Sequence, residues 1–265
     1  MNGLERISGR LGADRGRAIM PFVCAGYPRP GRLGELLKGI EAAGASVIEI
    51  GIPFSDPIAD GPVIAAAMHE ALACGVTPTG VLAEVAAVRD EVSLGLVAMV
   101  SMSLVERLGG AAGFIPRAAA AGFDGFIIPD APLEESGGLR EAAAGAGCSL
   151  SLLVAPTTPL ERVEAIVEAC SGFVYLLARA GLTGERGELP EIGERVRAIR
   201  RLSRLPIACG FGISTPAQVR AVLEQADAAI VGSAIVRKMG EAARTGEDPV
   251  AAGCAFVRAL AARSE

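Results

Sequence analysis

The chain has 265 residues, about half of them hydrophobic, no Trp, an aromatic content of 4% and a formal net charge of −5. An acidic chain poor in aromatic rings excludes a nucleic-acid partner held by phosphate contacts or base stacking. Its apolar runs are strand-sized and its amino terminus lacks an apolar signal core, so neither a membrane span nor secretion is expected, and the location is read as cytoplasmic.

In chain order, Met1 to Gly12 predicts a helix lying across the bottom of the fold. Strands follow at 18–25, 47–52, 94–100, 125–128, 149–154, 173–178, 206–209 and 229–231. Helices start between them at Pro30, Pro62, Gly110, Leu133, Pro159, Pro190, Thr215 and Ser233, several with Pro or Ser/Thr entry signals and most ending at Gly. A further helix, Thr79 to Glu91, follows the one at Pro62 to Cys74. An Ala-rich helix, an Ala-Gly stop and a short apolar strand recur, as at Glu41 to Ile52, Ala118 to Pro129 and Ala142 to Ala155. This alternation predicts a parallel sheet, and eight strands close a barrel. The expected fold is an α/β protein of the (β/α)8 TIM-barrel class with an extra N-terminal helix and an added helix after strand 2, as a single domain over 1–265. The alternative is an open doubly wound sheet, but Ala25-Gly26-Tyr27-Pro28 stands where its Gly-x-Gly-x-x-Gly would open the first helix.

The inventory of reactive side chains narrows the chemistry. His69 is the only histidine, so a Ser-His-Asp triad has one possible base and a multi-histidine metal site cannot be built; no metal is expected. Lys38 and Lys238 both lie in helical segments, which disfavours a strand-borne Schiff base. The six cysteines form no Cys-x-x-Cys pair and read as reduced, buried thiols. Carboxylates remain.

Glu49 interrupts the apolar run Val47 to Ile52, and the loop after it is stiffened by Pro53, Pro57, Pro62, Gly51 and Gly61. Burial disfavours the ionised form, so the Glu49 pKa should rise to where the group both gives and takes a proton. Two roles fit: an acid–base group, or a structural acid paired with an arginine. Asp56 fits a helix cap or a partner contact. Asp60, just before the chain reverses into the helix at Pro62, is better placed to turn inward. Two carboxylates in unlike settings can hold different protonation states.

Three glycine-bearing corners lie late in the chain, at Ala180 to Gly184, Cys209 to Ser214 and Ile230 to Ala234. They are tight turns or a phosphate cradle; glycines admit an anion to backbone N–H groups, and a short helix at Ser233 would add its positive end. His69 reads as a surface side chain, and Glu194 to Arg204 as a solvated helix face.

Over nearly its whole length the chain resembles the alpha subunit of tryptophan synthase. The resemblance is carried by Glu49 with Pro53 to Pro62, by Tyr175 to Gly184 and by Gly210-Phe211-Gly212-Ile213. It implies a lyase that cleaves indole-3-glycerol phosphate to indole and glyceraldehyde 3-phosphate, passing indole to a beta subunit. It implies Glu49 as general acid and base, and Asp60 as the anion opposite the indole nitrogen. Phe22, Ile64, Ile127, Leu153, Tyr175 and Phe211 would surround the indole, and Gly184, Gly212, Gly232 and Ser233 the phosphate. Thr183 would sit on a closing lid with glycines at 181, 184 and 187. No cofactor is implied in this chain; pyridoxal phosphate is expected in the beta subunit of an alpha2-beta2 heterotetramer. The chain departs from the family where a tyrosine and an asparagine usually follow strand 3 and Met99 to Leu104 stand here, and at Ala65 and Glu70 in place of Gln and Arg. Two rival readings are a phosphate-ligand-binding regulatory subunit with weak chemistry and a stand-alone indole-forming lyase.

Overall fold

The computed structural model describes residues 1–14, 18–57, 60–178, 192–210 and 212–262. Nine parallel strands form one sheet: β1 (Ala18–Cys24), β2 (Val47–Gly51), β3 (Gly95–Met99), β4 (Gly125–Ile127), β5 (Ser149–Leu150), β6 (Leu153–Val154), β7 (Val174–Leu177), β8 (Ile207–Gly210) and β9 (Ala228–Val231). Their order is β5-β4-β3-β2-β1-β9-β8-β7-β6. The two edges belong to one stretch of chain. Ser151 N–H donates to Phe126 O beside β4 at 3.0 Å, while Leu152 O accepts from Tyr175 N–H of β7 at 3.3 Å. The strand predicted at 149–154 therefore changes neighbour midway and closes the barrel, leaving no free sheet edge.

A period of two along each strand sorts side chains between two cores. Ile19, Val23, Ile48, Ile50, Leu96, Ala98, Phe126, Val174, Leu176 and Ile207 face the helices. Ala18, Met20, Val47, Val97, Ile127, Tyr175, Ala208, Ala228 and Ile230 face the barrel interior. Each fully buried Val, Leu, Ile, Phe or Met side chain in either set stabilises the fold by about 1.5–3 kcal/mol.

The N-terminal helix, Gly3–Ala13, is started by a capping box in which the Asn2 side chain accepts from Glu5 N–H at 2.8 Å and Glu5 accepts from Asn2 N–H at 2.9 Å. Its Ile7 and Leu11 are wholly buried in the interior core, so the helix plugs the amino end of the barrel as the sequence predicts. The added helix is present as Pro78–Val88, capped by Thr77. With the helix Pro62–Ala73 it forms a pair, apolar in composition and bent by 93°, whose inward residues pack on the barrel; among the described residues no single helix is long and apolar enough to cross a membrane.

Several elements differ from expectation. The helix at Ser233 is not short but runs for 13 residues to Thr245, because Val236, Met239 and Ala242 continue its buried face. Helices Met102–Arg107 and Pro249–Ala261 were not foreseen. Each carries a start signal, Ser101 accepting from Leu104 N–H and Asp248 from Val250 N–H. The helix expected from Pro30 begins at Leu33, and Leu133–Glu135 is a 3-10 turn ahead of a helix at Gly137–Gly145. Cys74 is exposed, contrary to the reading of all six thiols as buried.

Candidate active site

Glu49 is the third of five residues in β2, not at its end, and the alternation that turns Ile48 and Ile50 outward turns it into the barrel. It pairs in register with Phe22 of β1 on one side and Val97 of β3 on the other. The carboxyl is fully buried, and neither of its oxygens has a hydrogen-bond partner among the described residues. Burial alone pushes its pKa well above the usual carboxylate range. The structural alternative, a salt-bridged acid, is therefore absent at this position among the described residues.

Asp60 lies on the loop carrying the chain from β2 into the helix Pro62–Ala73, held by its N–H donating to Pro57 O at 3.0 Å. It lines a cavity at the carboxyl end of the barrel with Ile52, Met68, Met99 and Ser101. Desolvation raises its pKa to about 6. The Tyr175 hydroxyl is held well above its ordinary pKa first by burial and then by the negative charge of Glu49, Cys209 and Asp60. Burial, then Asp60, likewise lifts the Cys24 thiol to about 12. Burial thus raises both carboxyls, Glu49 inside the barrel and Asp60 at the cavity.

The described apolar residues named by the resemblance fall in two clusters that share Met99. Phe22 and Ile64 are buried in one cluster with Cys24, Met68 and Val236. Ile127 and Tyr175 belong to the interior core, with Leu153 packed against it. Half-buried Met99 packs against both clusters and joins them. Thr183, Gly184 and Phe211, with the glycines at 181 and 187, lie outside the described residues.

Two glycines make room for the rings. A Cβ on Gly51 would meet the Phe22 ring at 2.6 Å, and one on Gly210 would meet the Tyr175 hydroxyl at 2.8 Å. The sequence presents Gly51 as a loop stiffener and Gly210 as part of a tight turn or phosphate cradle; their clearance of the rings becomes visible only in the fold. Gly212 has φ +81, a left-handed conformation that favours glycine. Gly232 precedes the helix Ser233–Thr245, whose first bonds run from Ile235 and Val236 N–H to Gly232 O at 2.9 and 3.1 Å. The N–H groups ahead of them have no partner within the helix and form, with its dipole, an anion-attracting end.

Asp56 does not cap the following helix: it is exposed and accepts from Ser55 Oγ at 2.6 Å, and that helix is entered through Gly61-Pro62. His69 is exposed, its Nδ1 3.2 Å from Ala65 O. No group of three or more His, Cys, Asp or Glu placed to hold a metal ion occurs among the described residues.

Comparison with known proteins gives one family. Residues 10–264 match the family model described as "Tryptophan synthase alpha chain". The tryptophan synthase alpha chain of Carboxydothermus hydrogenoformans is 45% identical over 221 residues, covering 83% of this chain and 82% of that one. A crystal structure of the tryptophan synthase alpha chain of Legionella pneumophila superposes with a TM-score of 0.87 at 33% identity, covering 98% of this chain and 96% of that one. A chain from a Pyrococcus furiosus structure concerned with mutual activation of the tryptophan synthase a2b2 complex gives 0.82 at 31% identity, covering 93% and 98%. The chain belongs to the tryptophan synthase alpha chain family.

Proposed function

We propose that Glu49 and Asp60 are the pair with which this tryptophan synthase alpha subunit, a carbon–carbon lyase, splits indole-3-glycerol phosphate into indole and glyceraldehyde 3-phosphate. The observation that carries the reading is Glu49: an entirely buried carboxyl with no hydrogen-bond partner among the described residues, set among apolar side chains inside a barrel. Such a group stays protonated well above the usual carboxylate range and is poised as an acid.

Glu49 donates its proton to indole C3, and N1 becomes iminium-like. Asp60, ionised above pH about 6, accepts a hydrogen bond from N1–H and stabilises that charge. Glu49, now a carboxylate, takes the proton from the hydroxyl on the carbon attached to C3. The bond between that carbon and C3 breaks, its electron pair returns to the ring, and the carbon becomes an aldehyde. Glu49 ends protonated, and the indole ring itself serves as the electron sink.

Phe22, Ile64, Ile127, Leu153, Tyr175 and Phe211 form the indole pocket in this reading, and Gly184, Gly212, Gly232 and Ser233 hold the phosphate against the helix Ser233–Thr245. Thr183 belongs to a lid that meets Asp60. The partner is a beta subunit carrying pyridoxal phosphate, in an alpha2-beta2 assembly like the Pyrococcus furiosus complex, and the setting is cytoplasmic. The test is incubation with indole-3-glycerol phosphate, alone and with a beta subunit, while indole is monitored. Release that falls roughly a hundred- to ten-thousand-fold in Glu49→Gln supports the reading; a rate near wild type contradicts it.

A further inference from the structure

Met99 ends β3 and points into the barrel, in register with Gly51 of β2 and Ile127 of β4. Its neighbour on one side therefore has no side chain. A Cβ built on Gly51 would lie 3.5 Å from the Met68 methyl, so Met68, from the helix Pro62–Ala73, reaches into the space Gly51 leaves. Met68 and Met99 both line the cavity that contains Asp60. Met99 is half-buried and bridges the Phe22/Ile64 cluster and the interior core that contains Ile127 and Tyr175.

A thioether chain has three freely rotating bonds and a polarisable sulfur, so it fills irregular space and yields to new shapes. Two such chains flank a glycine at the same corner of the pocket. We infer that Met99, with Met68 across Gly51, is the specificity-determining wall of the aromatic site, and that it lets this enzyme accept indole rings bearing a small apolar substituent at C7. The position follows from the reading above, on which the inference rests. Asp60 meets N1–H, Met99 and Met68 line the cavity beside Asp60, and C7 is the benzo carbon on the N1 edge of the ring.

A rigid wall that tolerates no extra methyl would discriminate by about ten- to two-hundredfold. The experiment compares kcat/KM for 7-methylindole-3-glycerol phosphate and for the unsubstituted substrate, using the chain with its beta subunit. In the wild type the ratio of methylated to parent kcat/KM is expected above about one-tenth; a lower ratio overturns the inference. Met99→Phe, which replaces the pliable chain with a stiff ring, should lower that ratio at least tenfold, whatever it does to the parent rate. Met99→Leu should fall between. Folding is checked by thermal melting, and the wild-type ratio stands as a test even where a variant does not fold. An unchanged ratio in a folded Met99→Phe contradicts the assignment of Met99. Failure of the wild type to release indole from the parent substrate would instead sink the proposed function.

Discussion

Carboxylates shielded from solvent occur at the amino end of this barrel and again from its interior to its carboxyl end, and they are treated in opposite ways. At the amino end Asp124 accepts from Arg6 Nη1 at 2.8 Å, Arg89 Nη1 at 3.1 Å and Leu96 N–H at 2.9 Å. Asp227 accepts from Arg200 Nη2 at 2.5 Å and Ile207 N–H at 2.8 Å. Glu49 in the interior has no such partner among the described residues, and at the carboxyl end Asp60 is raised by desolvation with no cation among the described residues opposing it. For Asp124 burial also raises the pKa, but the Leu96 N–H, Arg89 and Arg6 oppose it. The amino-end acids fasten the strand entries of β4 and β9 to helices and neighbouring strands. The Glu49 oxygens, without a partner among the described residues, are available to a substrate. A buried acid supplied with its cations reads as structure, and one without reads as chemistry.

The largest effect expected from breaking this contrast is at Glu49. Glu49→Gln removes a proton carrier without changing shape, so indole release should drop roughly a hundred- to ten-thousand-fold. The midpoint of thermal unfolding should hold or rise. A large fall in stability with retained activity would place Glu49 with the structural acids. Asp60→Asn removes a preorganised charge opposite N1 and should lower kcat about a hundred- to a thousand-fold.

Asp124→Ala should do the reverse. It leaves Arg6 and Arg89 without their shared carboxylate and should cost about 3–5 kcal/mol of stability, read by urea unfolding, with kcat little changed below the transition. A stable but inactive Asp124→Ala would erase the distinction between the two ends.

The pH dependence sharpens the comparison further. Both mouth acids have folded pKa values above their ordinary ones, from 3.8 to about 6 for Asp60 and upward from 4.5 for Glu49. In that window the unfolded chain binds fewer protons than the folded one, so stability falls as pH rises from about 4 toward 6 and beyond. The Glu49→Gln, Asp60→Asn double variant should show a flatter stability profile there. Activity moves the other way: kcat/KM should fall as pH drops through about 6, when Asp60 loses its charge, and that limb should be absent in Asp60→Asn. The smallest effect belongs to His69→Ala, an exposed change expected to stay within about 0.5 kcal/mol in stability and to leave indole release unaltered.

Much of the barrel is legible in the chain because short apolar strands alternate with Ala-rich helices that carry Pro or Ser/Thr entry signals. The apolar run that Glu49 interrupts marks it as buried, and the proline-stiffened loop that follows carries Asp60. The resemblance then named Phe22, Ile64, Ile127, Leu153 and Tyr175, which the fold divides between two clusters joined by Met99. What could not be read is long-range. Nothing local to Asp124 announces Arg6, 118 residues away, and nothing near Asp227 announces that Arg200 will reach it across 27. Nor does any run of sequence show that Gly51 and Gly210 clear space for Phe22 and Tyr175, since that depends on which strands become neighbours. The helices at Met102–Arg107 and Pro249–Ala261 carry legible start signals in Ser101 and Asp248-Pro249, but the six residues of the first make too short a period to stand out.

The contrast between the two ends rests on the protonation of one side chain. Difference infrared spectroscopy of the wild type against Glu49→Gln at neutral pH reads it directly. The C=O stretch of a protonated carboxylic acid should be present in the wild type and missing from the variant. Carboxylate bands alone at this position would contradict the account, because an ionised Glu49 has no proton to deliver to the indole ring.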